Sequence, residues 1–466
     1  MRDEMPRGDV SPKGVRLPRG DVSPKRLYEA WQLFTPILQT DQTVSAPWFV
    51  PVFIAVSSFV LTFFRVETAL PLLIIATALD RYRFDFGGAG LRIEHFVAVG
   101  VALAWGLKAR PSWKSSHFSR ADILLVAYLV LALVSSLLFA PILRESLKFF
   151  GLMVFGVVLY WLVRALGGAA TSALTRGVFM LIMVGVGASL FGIVAWIAYP
   201  FGVNLGVQIY ALDNFTTHSP FGTLFDSNTL GMYAMAATLV QVTLLLDSQF
   251  SKWRALLITG TLITLIAVAL SLTRVAWIGL VFGLFLVVLL SRRRRWAIAI
   301  GGAAVVLVLL ALIANSALAG GGGALAEFSL ARIMTFRSIF FRLDAYTRAW
   351  NDFLASPFLG NGVNVFAQNY LSPSGTRDWI SNFFLMTLHD TGIVGLIILL
   401  AWLGWLAYET WRALKSSRGV TRTMLLALSI AYLALFVTYQ ATTVFWLGFN
   451  WVYLGMIASG RMKDEG

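Results

Sequence analysis

RVAWIGLVFGLFLVVLLSRRRR, residues 274–295, is an unbroken apolar run with one arginine at its start and four at its end. At 1.5 Å per residue the run from Val275 to Leu290 extends ~24 Å, comparable to a hydrocarbon core of ~30 Å, so it reads as a membrane-spanning helix. Basic residues are retained on the cytoplasmic side, which orients the Arg292–Arg295 end inward and Arg274 outward.

Working outward, comparable apolar runs occupy 47–64, 66–79, 93–107, 121–139, 147–166, 177–199, 228–246, 253–271, 297–318, 382–407, 423–440 and 442–459. Of the 466 residues 58% are hydrophobic and 13% charged, far from the composition of a soluble domain. The chain is therefore expected to be an all-α polytopic membrane protein. The span at 297–318 exits again and places a long loop, 319–381, outside. The same alternation puts Arg412, Lys415, Arg418, Arg422, Arg461 and Lys463 inside, with Lys252, Arg254, Arg164, Arg176 and the run from Lys108 to Arg120. With both termini cytoplasmic the number of crossings must be even. The shortest candidate, 66–79, contains Pro71 and is read as re-entrant or as part of its neighbour, which leaves about twelve crossings. Arg81, Arg83 and Arg92 then fall outside, where they either bind an external anion or mark an error in this part of the topology.

Residues 1–27 contain PRGDVSPK twice, at 6–13 and 18–25. Such a Pro-, Gly- and charge-rich segment is expected to be a disordered cytoplasmic tail rather than a cleavable signal peptide, and 28–466 a single transmembrane domain. The chain has no cysteine, so disulfides and thiolate metal sites are excluded.

The 319–381 loop carries Arg332, Arg337, Arg342, Arg348 and Arg377. If 331–354 is largely helical, Arg348 has Asp344 and Asp352 four residues away on either side and is satisfied by intrahelical pairs. Arg337 and Arg342 have no carboxylate at those spacings. A guanidinium is a permanently charged planar fork suited to phosphate, so these two and Arg274 are candidate contacts for an anionic substrate. Lipid headgroups compete for all three, because arginines at a membrane boundary snorkel to phosphate. The turn from Pro357 to Gly362 lacks a phosphate-loop lysine and reads as a plain turn.

His389 is the candidate proton acceptor. Asn382 lies seven residues earlier on nearly the same helical face, and Asp390 could support an imidazolium although adjacent helical side chains diverge by ~100°. A histidine that merely hydrogen-bonds neighbouring helices is the competing reading. His218, Asp226 and Asn228 fall on the same side and are candidate substrate contacts. No spacing of His and carboxylates suggests a metal site, and no nucleotide-binding motif is present.

Ser271-Leu272-Thr273-Arg274 at the end of a span, Arg342 followed by Trp350, the turn Pro357-Phe358-Leu359-Gly360-Asn361-Gly362, and Asn382 with Leu388-His389-Asp390-Thr391-Gly392-Ile393-Val394-Gly395 together resemble the O-antigen ligase and Wzy-type polymerase superfamily. Gly222-Thr223-Leu224-Phe225-Asp226-Ser227-Asn228 is similar to that superfamily's entry into its next helix. The likeness covers roughly 45–460. Polymerases of the group commonly carry His-Asn where this chain has Ser381-Asn382, and the histidine in Leu-His-Asp-Thr-Gly resembles the ligase branch. The resemblance implies a C-type membrane glycosyltransferase fold (GT-C) in a bacterial inner membrane with a periplasmic site. It further implies transfer of polysaccharide from an undecaprenyl diphosphate carrier to lipid A-core, with configuration inverted and with neither metal nor nucleotide cofactor. Arg274 and Arg342, with Arg337, would stabilise the diphosphate, and His389 would activate the acceptor hydroxyl. Partners would be those two lipids and the membrane, with no nucleic acid. A polymerase, a protein O-oligosaccharyltransferase or, more distantly, a lipid transporter are the competing expectations.

Overall fold

The structure is a computed structural model and describes residues 49–460, apart from 87–88, 109–118, 169–170, 213–214, 292, 300, 304, 307, 309–336, 372–376 and 443. The expected tail at 1–27, Arg332, Arg461, Lys463 and most of the 297–318 span lie outside the described residues.

The helices, in order, are α1 (Phe49–Phe64), α2 (Ala69–Thr77), α3 (Ile93–Lys108), α4 (Arg120–Phe139), α5 (Leu143–Gly168), α6 (Thr171–Ala198), α7 (Ser227–Leu245), α8 (Arg254–Leu270), α9 (Arg274–Leu290), α10 (Arg337–Ala355), the single turn α11 (Phe366–Asn369), α12 (Phe383–Ser416), α13 (Gly419–Thr438) and α14 (Gly448–Ser459). Among the described residues seven are long and apolar enough to cross a membrane. This is an all-α polytopic membrane protein. The nine-residue α2 and twelve-residue α14 rise only ~14 Å and ~18 Å at 1.5 Å per residue, too little for a crossing alone. The short α2 agrees with the expectation for 66–79. The 442–459 run was expected to be a full span, but every residue of α14 is buried and the helix is enclosed by protein.

α7 is likewise buried nearly all round, packed by α6, α8, α9 and α13. Its Gly231, Ala234, Ala236 and Ala237 leave room for close approach, the usual basis of helix packing without a hydrophobic drive. Thr238 on this helix is satisfied internally: its Oγ1 donates to the Ala234 carbonyl and contacts Thr264 Oγ1 of α8 at 2.7 Å.

Two antiparallel hairpins, absent from the sequence reading, bridge spans. β1 (Arg83–Phe86) pairs with β2 (Ala89–Arg92), and β3 (Val207–Leu212) with β4 (Phe215–Pro220). They resolve the three outlying arginines. Arg92 pairs with Asp80 at 2.8 Å, Arg81 donates to the carbonyls of Leu205 at 2.8 Å and Gly222 at 3.2 Å, and Arg83 stacks over Phe225. These arginines fasten one loop to another and have no need of an external anion.

Candidate functional site

Arg274 opens α9 immediately after a constrained turn. Leu272 is buried with a left-handed φ of 52°, which is costly for a leucine and persists only where neighbours fix it. They do: Ser219 Oγ donates to the Ser271 carbonyl at 2.7 Å, and Thr273 Oγ1 to the Ser227 carbonyl at 3.1 Å. The second bond joins the starts of α7 and α9. Asp226 and Asn228 are thereby brought beside the Arg274 turn, but their polar atoms are engaged. Asp226 caps α7, accepting from Thr229 N at 2.7 Å and Thr229 Oγ1 at 2.6 Å, and Asn228 Nδ2 donates back to Asp226 at 3.3 Å. In this structure both residues take part in the start of α7.

Arg342, on α10, lies near enough to Arg274 for the two charges to be felt by each other. Burial draws its guanidinium below the usual arginine range; nearby Tyr346 opposes this, and the Arg274 charge lowers it further. Two cations near enough to repel, with no carboxylate paired to Arg342 among the described residues, form a locus whose charge an anion would relieve. The side chain of Arg337 lies outside the described residues, although its backbone begins α10. Arg348 bonds Asp344 as expected, and Asp378 lies 3.6 Å away.

The third expected centre is built at a break in α12. Gly392 has φ 67° and ψ −168°, so the helix stops after Thr391 and restarts at Ile393. The freed backbone groups are taken up by the Pro357–Gly362 turn: Asn361 N donates to the His389 carbonyl at 2.8 Å, Gly362 N to Asp390 at 3.1 Å, and Ile393 N to Pro357 at 2.8 Å. The turn read as plain is therefore a plug. Its fit demands glycine, since a Cβ on Gly392 would lie 2.3 Å from the Phe358 oxygen and one on Gly360 2.5 Å from the Asp390 carbonyl carbon. Gly392→Ala is expected to destabilise the protein by about 2–3 kcal/mol, measured as a lower unfolding midpoint in detergent.

His389, in this break, is wholly buried. Its Nδ1 is 2.8 Å from Asp390 Oδ1, its Nε2 is 3.4 Å from Asp352 Oδ2 on α10, and Phe366 packs edge-on against the ring. Asp352 also accepts from Tyr370 Oη at 2.9 Å. Burial raises the Asp352 carboxyl, but the adjacent His389 ring, the hydrogen bond from Tyr370 and the charge of Arg348 outweigh it and hold the group below the usual carboxylate range. Asp352, expected to serve Arg348, is instead the partner of His389.

α10 and α12 run side by side. Tyr346 Oη donates to the Ser381 carbonyl at 3.1 Å, one end of a contact whose other end is Asp352 with His389. Asn382 caps α12, accepting from Leu385 N at 2.9 Å and donating to the Gln440 carbonyl at 3.2 Å. Arg342 lies ten positions before Asp352 on α10, ~15 Å along its axis and ~80° around it. The structure thus brings Arg342 to Arg274 and Asp390 to His389, but separates the two pairs. A group activating an acceptor and a cation neutralising the leaving group must flank one anomeric carbon within a few ångströms. His389, wholly buried and held between Asp390 and Asp352, has a geometry suited to positioning α10 against α12. His218, next to the Ser219 that braces the Arg274 turn, packs against Trp196 and Tyr199 at ring distances of 5.5 and 5.1 Å, and its pKa is lowered by burial.

Among the described residues no group of three or more His, Asp or Glu is arranged to hold a metal ion. Residues 259–400 match the family model described as O-antigen ligase. The match takes in Arg274, Arg342, Asp352 and His389 and leaves out His218, Asp226 and Asn228. A search of curated proteins found no match.

Proposed function

We propose, from the match of residues 259–400 to the family model described as O-antigen ligase, that this chain transfers polysaccharide from undecaprenyl diphosphate to a sugar hydroxyl of lipid A-core at the periplasmic face of the bacterial inner membrane. What supports this reading is the electrostatic proximity of Arg274, which opens the apolar helix α9, and Arg342 on α10.

A glycosyl diphosphate already holds a good leaving group. Attack of the acceptor oxygen on the anomeric carbon forms the new glycosidic bond as the carbon–phosphate-oxygen bond breaks. The carrier leaves as undecaprenyl diphosphate and the hydroxyl proton passes to solvent. Negative charge builds on the departing oxygen, and two fixed guanidiniums at that point stabilise it more in the transition state than in the ground state. That supplies the charge a divalent metal supplies elsewhere. With an oxocarbenium-like transition state the acceptor needs little activation, which fits an enclosed His389. A single displacement inverts the anomeric centre.

His389, Asp390 and Asp352 contribute by fixing α10, which carries Arg342, to α12. Purified protein with undecaprenyl-diphosphate glycan and lipid A-core in chelator and without ATP is expected to yield the joined glycolipid. Chain extension of the donor glycan with lipid A-core untouched would make it a polymerase; an absolute need for added divalent metal would overturn the role given to the arginines.

A further inference from the structure

The membrane end opposite Arg274 carries a groove that the transfer reaction does not use. α8 runs from Arg254 to Leu270 and α9 returns from Arg274 to Leu290, so Arg254 and Arg293 share one end of the pair while Arg274 occupies the other, ~24 Å away at 1.5 Å per residue. Between α8 and the segment after Arg293 lies a cavity of about 590 Å³. Arg254, Ile258, Leu262 and Leu265 line it at helical spacing along one face of α8, with Arg293 and Trp296 across from them.

Its chemistry is divided along its length. Both arginines are exposed at the mouth, and among the described residues neither is paired with a carboxylate. Asp247 is nearby in sequence, but its carboxylate accepts from Gln249 N at 2.9 Å and Thr423 Oγ1 at 2.5 Å. Deeper in, the walls are apolar, and the hydroxyl of Thr261 is satisfied by the Leu257 carbonyl at 2.7 Å. Ile258 is 49% exposed, Leu262 46% and Trp296 67%, so the groove opens sideways to the surroundings. From Arg254 to Leu265 the groove is ~16 Å deep, about half of a ~30 Å hydrocarbon core.

We propose that this groove is a specific site for an anionic glycerophospholipid of the cytoplasmic leaflet, with its phosphate on Arg254 and Arg293 and an acyl chain along Ile258, Leu262 and Leu265. Cation at the mouth, apolar lining of one-leaflet depth and an interfacial tryptophan are complementary to headgroup, chain and glycerol region in that order. Neutral lipid fills the chain portion equally well but leaves two guanidiniums unpaired. The site rests on the membrane reading alone and not on the transfer reaction.

Full-length protein in detergent, titrated with equimolar dioleoyl phosphatidylglycerol and dioleoyl phosphatidylcholine, tests this by native mass spectrometry. Wild type is expected to retain phosphatidylglycerol at least tenfold over phosphatidylcholine. The pair Arg254→Gln and Arg293→Gln, both exposed and unneeded for folding, is expected to bring that ratio near one. A charge-matched control, Arg412→Gln with Arg418→Gln, should keep it, and Leu262→Trp should reduce the amount of lipid bound. The proposal is overturned if the control loses the preference equally, if the first pair keeps it, if inorganic phosphate displaces the lipid at comparable concentration, or if the groove is closed by a second copy of the chain.

Discussion

Arg342→Ala is expected to lower glycan transfer by about 10²–10³-fold, with undecaprenyl-diphosphate glycan still bound. The guanidinium has no carboxylate partner among the described residues, so its removal leaves no buried anion behind and folding should persist. What is lost is charge at the departing diphosphate, and that charge matters most as the bond breaks. The fall should therefore appear mainly in kcat. Arg342→Lys restores charge without the planar fork and should recover only part of the rate. Arg274→Ala is expected to give a comparable loss, and the two together much less than the product of the single losses, since one oxygen-bearing group is served by both. Measured rates of glycolipid formation by the three variants check this. Full activity in Arg342→Ala would remove the external helix from the chemistry.

The membrane helices were legible because their signal is local: an apolar run of sufficient length has few alternatives. The Arg348–Asp344 pair was legible for the same reason, being four residues apart on one helix. Cap residues are legible in the same way, since Asp226-Ser-Asn-Thr229 and Asn382 each stand directly before an apolar run. The hairpins at 83–92 and 207–220 are too short, and too close to spans, for alternation to stand out.

The partnership of His389 with Asp352 was hidden for a different reason. It depends on a helix break and on a turn from another part of the chain that fills it. The glycines Gly360, Gly362 and Gly392 were its only trace, and glycines in a turn and glycines in a packed helix look alike in sequence. Asp352 meanwhile sat four residues from Arg348, a spacing that supplied a sufficient and mistaken explanation.

His389→Ala is expected to abolish most transfer by releasing α10 rather than by removing a base. The substitution leaves the buried Asp390 without its partner and frees Asp352, a loss of about 3–5 kcal/mol for a broken buried pair. Hydrogen exchange across 343–355 should rise, while Arg274 and Arg342 remain intact but no longer face each other. Asp352→Asn should act in the same direction and more weakly, because an amide still meets Tyr370 and the ring. The pH dependence follows from Asp352, whose folded pKa is depressed. Its contribution to docking is complete above the ordinary carboxylate range and is lost as pH falls through the lowered value, so wild-type exchange should rise in acid. In Asp352→Asn that acid step should be missing. If His389→Ala leaves exchange in α10 unchanged while transfer disappears, the histidine acts chemically and the docking account fails; if both persist, neither role stands.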